Sequence, residues 1–111
     1  MIKVDSTSNT IFEGIGKMID AMVVDYSKGN TNERMFNEYK DGFKTIVGQK
    51  FIKITNNNGV KAFVVKADGG RFKMGDILKP ASWRAPAKNS ARGNVLEGGY
   101  AIQWTGPLYL R

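Results

Sequence analysis

The chain has no cysteine and no histidine. Without cysteine there are no disulfides and no thiolate metal ligands, which suits a reducing compartment. Without histidine the Ser–His and Cys–His nucleophile systems are excluded, as are the common zinc sites and most acid–base catalysis near neutral pH. No long apolar run occurs. A transmembrane helix needs ~20 apolar residues, and the best stretch, around Ile19–Val24, is interrupted by Asp20. The start, MIKVDSTSN, lacks an apolar segment after Lys3, so no signal peptide is expected. Neither a GxxxxGK[ST] phosphate loop nor a GxGxxG turn is present. These absences point to a binding protein rather than an enzyme, with no metal, no cofactor and no membrane partner.

What is present fits one domain spanning residues 1–111, with an apolar fraction of 41% that can fill a modest core. The charge is uneven. Residues 1–43 carry five cations and seven acids, whereas residues 44–111 carry twelve cations and three acids. A basic excess confined to one part of a chain marks an anionic partner such as a nucleotide or nucleic acid.

Residues 1–9 read as an extended lead-in. Thr10 and Glu13 then form a capping-box pattern, and Ile11, Ile15, Met18, Ile19, Met22, Val23 and Tyr26 follow at helical spacing. Gly14 and Gly16 weaken the first turns but would admit another backbone closely, as in packing on a sheet or in a helix dimer. A second helix, capped by Thr31 or Asn32, would bury Met35, Phe36, Tyr39 and Phe43 and end near Gly42. From Gln49 the pattern becomes β. Gln49–Thr55 and Val60–Lys66 flank Asn56-Asn57-Asn58-Gly59, a strong hairpin signal. Phe72–Leu78, Val95–Leu96 and Tyr100–Trp104 follow as further strands, and Thr105-Gly106-Pro107 turns the chain into a docked end. The expected fold is α+β, an N-terminal helical hairpin packed on a mostly antiparallel sheet, with a long basic loop at residues 79–94.

That loop, KPASWRAPAKNSARGN, holds Lys79, Arg84, Lys88 and Arg92 and no acid. Trp83 offers a face on which a base stacks for ~1–3 kcal/mol; it also fits a core tryptophan, although Ser82, Arg84 and Pro86 are polar or irregular company. Arg84, Lys88 and Arg92 recur every four residues, but Pro86 breaks a helix, so they are expected to converge from a bent loop onto phosphate. Singly, each also reads as a solvated surface cation. Asn94 can read a base edge or ribose hydroxyls, or simply close a turn.

This segment, with the C-terminal GPLYLR, resembles a set of small tailed-phage proteins that carry a variant of KxASWxAPAKxxRxN and end in G-P-x-Y-L-R. That set resembles the phage anti-Thoeris signal sponges, over about residues 48–111. The resemblance implies a phage-type immune-evasion protein in the cytoplasm of the infected host. Such a protein sequesters a cyclic ADP-ribose isomer, or a related cyclic nucleotide, without cleaving it. It further implies a homo-oligomer, dimer to hexamer, to which helix 11–26 adds an apolar contact, and cyclic oligonucleotides at a second kind of site. Carried over, Trp83 stacks the base, Asn94 reads it, Arg92 serves the pyrophosphate or ribose, and Arg111 closes the pocket. The alternative from composition is a nucleic-acid-binding protein using the basic loop and the sheet aromatics. Against it stands the bunching of cations and rings in one loop rather than along a path.

Overall fold

The computed structural model describes residues 1–108. Strand β1 (Ile2–Val4) precedes helix α1 (Ile11–Gly29), and helix α2 (Glu33–Asp41) leads into strands β2 (Phe43–Val47), β3 (Phe51–Asn56) and β4 (Gly59–Val65). Strands β5 (Ile77–Leu78), β6 (Tyr100–Gln103) and β7 (Gly106–Pro107) follow. All strand pairs are antiparallel, and the strands form two sheets rather than one, ordered β1-β6-β7 and β2-β3-β4-β5. The fold is α+β.

Helix α1 starts where the capping box places it. The Glu13 amide donates to Thr10 Oγ1 at 3.1 Å, satisfying a donor the first turn leaves orphaned. The reciprocal bond comes from the Asn9 amide to Glu13 at 3.3 Å, one residue earlier than the ideal box. Ile15, Met18, Ala21 and Met22 form the buried face and share one core with Val4, Tyr100 and Ile102 of the first sheet. Ile52, Ile54, Ala62, Val64 and Ile77, the inner face of the second sheet, belong to the same core. Gly14 is where the backbone of Val95 approaches: a Cβ there would lie 2.3 Å from the Val95 carbonyl oxygen. The close approach allowed by that glycine is therefore used within the molecule. Gly16 has nothing within 4 Å.

Helix α2 is capped by Asn32, whose side chain accepts from the Met35 amide at 3.0 Å. It turns only Tyr39 fully inward; Met35 stays exposed. Tyr39 stacks on Tyr26 of α1 with ring centroids 4.2 Å apart, and its hydroxyl donates to the Trp104 carbonyl at 2.7 Å. Phe43, expected on the buried face of this helix, instead opens β2. Gly42 ends the helix, and the chain pairs at once with β3, Phe43 opposite Asn56.

The strand expected over Phe72–Leu78 is regular only at its last two residues. Asp76 accepts from the Lys73 amide at 3.0 Å and Asp68 from the Met74 amide at 2.7 Å, so side chains take the donors a ladder would use. Gly75 then sits at a φ of +91°, in the region glycine favours. Val95–Leu96 likewise forms no strand; the Val95 amide donates to the Gly75 carbonyl at 2.9 Å.

Candidate anion-binding face

Alternation along β3 and β4 builds the site. Even-numbered residues of β3 enter the main core. Phe51 and Lys53 point to the opposite face, with Phe63 and Val65 of β4 beside them. Phe51, Phe63, Val65, Leu78, Phe72 and Ala91 make a second, smaller apolar cluster. The 79–94 loop lies over this outer face and is itself folded. The Ala87 amide donates to the Lys79 carbonyl at 2.7 Å, Pro80 bridges Pro86, and Ser82 Oγ accepts from the Arg84 and Ala85 amides. Trp83 and Arg84 stand at the tip of this small hairpin.

Three of the expected site residues reach the outer face. Trp83 is 49% exposed, and Lys53 Nζ lies 4.4 Å from its ring centroid. Arg84 borders a depression of about 210 Å³ shared with Ile46, Lys50, Phe51, Lys53 and Phe63. Lys88 lies over the Phe51 ring at 5.8 Å, on the far side of that phenylalanine. There a larger cleft of about 740 Å³ opens, with Phe51 and Phe72 in its wall and Lys50, Lys66, Arg71 and Lys88 around it. Asp68 is its one acidic neighbour.

The others do not join them. Arg92 is a staple: its guanidinium donates to the Leu108 carbonyl at 2.6 Å, to the Ser90 carbonyl at 3.2 Å and to Asn89 Oδ1 at 3.3 Å. Convergence of Arg84, Lys88 and Arg92 is thus not what the loop produces. Asn94, expected to read a base or a ribose, is 5% exposed and fully engaged. Its amide nitrogen donates to the Met74 carbonyl and to Asp76, each at 3.0 Å, and its oxygen accepts from the Leu96 and Glu97 amides at 2.8 and 3.1 Å. An asparagine offers two donors and two acceptor positions, so none remains for a ligand, and the turn role holds. Arg111 lies outside the described residues.

The residues the sequence reading missed are Lys50, Phe51, Lys53, Lys66, Arg71 and Phe72. Phe51 and Lys53 were legible from the two-residue alternation of Phe51-Ile-Lys53, whose outward face is aromatic and cationic. Arg71 was not: only the tertiary fold aims it at the carbonyls of Lys88 and Asn89, which its guanidinium holds from across the cleft.

A second group of cations surrounds the β6–β7 hairpin. Burial pushes Lys61 below the usual lysine range. It does the same to Lys79, aided by the nearby charges of Arg92 and Lys61. Lys79 donates to the Pro107 carbonyl at 2.7 Å, and Lys61 lies 5.6 Å from the Trp104 ring. These side chains hold the chain's last described turn in place.

The fold and this face define an α+β protein with an aromatic–cationic surface on its second sheet. Among the described residues, no group of acids could hold a metal ion, and no helix is long and apolar enough to cross a membrane. The chain belongs to the DUF7717 family, a family of unknown function, whose model matches residues 3–110. No curated protein and no solved structure matches it.

Proposed function

We propose that this protein holds a planar, phosphorylated ligand of the nucleotide class on the outer face of the second sheet, without transforming it. The observation that carries this reading is the cleft of about 740 Å³, with Phe51 and Phe72 in its wall and Lys50, Lys66, Arg71 and Lys88 around it. Rings give a base a stacking surface, and fixed cations oppose its phosphates. Lack of histidine suits a holder, because release of intact ligand needs no proton relay. Within the nucleotide class, the resemblance of the 79–94 loop favours a cyclic ADP-ribose isomer or related cyclic nucleotide, sequestered as a phage-type countermeasure to host immunity.

A second reading rests on its own observation. The ring–cation pairs Trp83–Lys53, Phe51–Lys88 and Phe72–Arg71 are carried on one sheet face and the loops over it, not bunched in one loop. A distributed arrangement of this kind suits a single-stranded nucleic acid, whose bases stack in succession while its phosphates meet the cations.

The deciding experiment is a thermal-shift series with cyclic ADP-ribose isomers, cyclic dinucleotides and oligothymidylate. Ligand at about a hundred times its Kd adds ~2.7 kcal/mol, several degrees in Tm for a domain of this size. A shift with a cyclic nucleotide, and recovery of that nucleotide intact after heat denaturation, supports the first reading. A shift with oligothymidylate alone moves the assignment to the second, and no shift with any of them overturns both.

A further inference from the structure

Strand β2 is the open edge of the second sheet and is covered on neither side along most of its length: Ile46 is 44% and Val47 52% exposed. Natural proteins blunt such an edge with charged side chains, lysine above all, with proline or by keeping the strand very short. Phe43-Lys44-Thr45-Ile46-Val47 is a full strand with no proline and a single charge. Its backbone has a definite polarity. The Gly48 amide donates to the Phe51 carbonyl at 2.9 Å, so the even-numbered residues of this strand face β3. The amides and carbonyls of Phe43, Thr45 and Val47 therefore point to the open side.

From this register we propose that β2 pairs antiparallel with β2 of a second copy of this chain, about a twofold axis at Thr45. The axis puts Thr45 opposite Thr45, each donating to the other's carbonyl, and Phe43 opposite Val47, so the outward groups of both strands are satisfied together. On the inner face the exposed Val47 meets Phe43 of the second copy. On the outer face Ile46 meets Lys44 of the second copy, so no two cations oppose each other. The arrangement is self-complementary in hydrogen bonding, apolar contact and charge.

The pairing also extends the candidate site. Ile46 pairs with Lys53 in the register of β2 on β3, and Lys53 lies beneath Trp83. Lys44 of the second copy falls next to Ile46, about 4.8 Å further on, and so continues the cationic row across the axis. The shared-face part of this inference rests on the second reading above, that of a nucleic-acid strand. The pairing itself does not.

The test is sedimentation velocity from about 1 to 200 µM, with no ligand present. The wild type should shift from monomer towards dimer across that range, because one strand pair buries less than the ~1,200 Å² of a standard stable interface. Thr45→Pro removes an amide that faces solvent in the monomer, where an edge strand tolerates proline; it should leave the circular dichroism unchanged and abolish the dimer. Ile46→Lys should do the same by placing lysine opposite Lys44. Adding Lys44→Glu to Ile46→Lys should restore dimerisation, which a merely misfolded variant would not do. A wild type monomeric at 200 µM overturns the pairing, and so does a dimer indifferent to these substitutions. For the shared face, the wild type should prefer a 20-nucleotide oligothymidylate over a 6-nucleotide one more strongly than the Thr45→Pro variant, which changes no charge on the outer face. Equal preferences with an intact wild-type dimer overturn the shared face alone.

Discussion

Asn94 and Trp83 stood together in the sequence as one recognition pair, and the structure separates them. Asn94 closes the base of the loop with four internal hydrogen bonds, whereas Trp83 is 49% exposed, with Lys53 over its ring. Their alanine variants should therefore behave oppositely. Asn94→Ala leaves a buried Asp76 oxygen and two backbone amides without their partner, a cost of about 1–3 kcal/mol for each buried group so orphaned, and should lower Tm by well over 5 °C. Trp83→Ala should leave Tm within about 2 °C and, on the single-strand reading, weaken oligothymidylate binding about tenfold or more, as loss of one stacked base implies. Thermal melts and a binding titration of the two variants check both, and a Trp83→Ala protein that unfolds would restore the core reading of that tryptophan. Asp25 makes a pH prediction at the same scale. It is 9% exposed; burial raises its pKa, but the N-terminal ammonium, the Trp104 amide at 2.9 Å and the charge of Lys28 outweigh this and hold it below the ordinary value of 3.8. A depressed carboxyl stabilises the fold above its unfolded pKa and loses that contribution as pH falls through the lower, folded value. Wild-type Tm should thus fall below pH 4 more steeply than that of Asp25→Asn, whose amide oxygen can still accept from Trp104.

At the scale of elements, Gly14 shows how helix α1 is seated. A methyl group there would meet the Val95 backbone, not a movable side-chain tip. Gly14→Ala gains up to ~1 kcal/mol of helix propensity, yet the helix must lift from the chain that leaves the basic loop. The net effect should be destabilising by about 1–3 kcal/mol; at Gly16, where space is open, the same substitution should stabilise. Denaturant midpoints of the two variants give the comparison. The sequence displayed α1 because cap, period and length agree, and it displayed the β3–β4 hairpin because Asn57 can take the φ of +53° that the turn requires. It hid β2, since Phe43 continues the spacing of Tyr39 and only the pairing with β3, absent from local pattern, makes it a strand. It suggested too long a strand before β5, because Phe72 and Met74 look apolar while Asp68 and Asp76 quietly take up the backbone donors. In the loop the composition was legible and the direction of each side chain was not: Arg84, Lys88 and Arg92 have equal spacing but three different surroundings, set by the Pro80–Pro86 bridge and by the carbonyl of Leu108.

At the scale of the whole molecule, the charge asymmetry of the chain becomes an asymmetry of the surface. The acidic first part supplies α1 and α2, including an open groove bordered by Glu33, Glu38 and Asp41, while the basic remainder supplies the outer face of the second sheet. Six cations face outward there: Lys50, Lys53, Lys66, Arg71, Arg84 and Lys88. Salt dependence then separates the two readings of function. A single strand that engages about five phosphates releases their condensed counterions, with a slope of log K on log salt of about −3.5. Raising salt from 50 to 200 mM should weaken such binding about a hundredfold. A cyclic ligand with two phosphates carries little condensed atmosphere, and its binding, held by stacking and short charge-assisted bonds, should change less than about tenfold over the same range. Binding titrations with fluorescently labelled oligothymidylate and a labelled cyclic dinucleotide, run at four salt concentrations, measure both slopes. The Lys53→Ala variant should lower the strand's slope by about 0.7, one phosphate's worth. An unchanged slope in that variant would mean that Lys53 serves Trp83 as a supporting cation and not the ligand as a phosphate contact, and would confine the site to the cleft between Phe51 and Phe72.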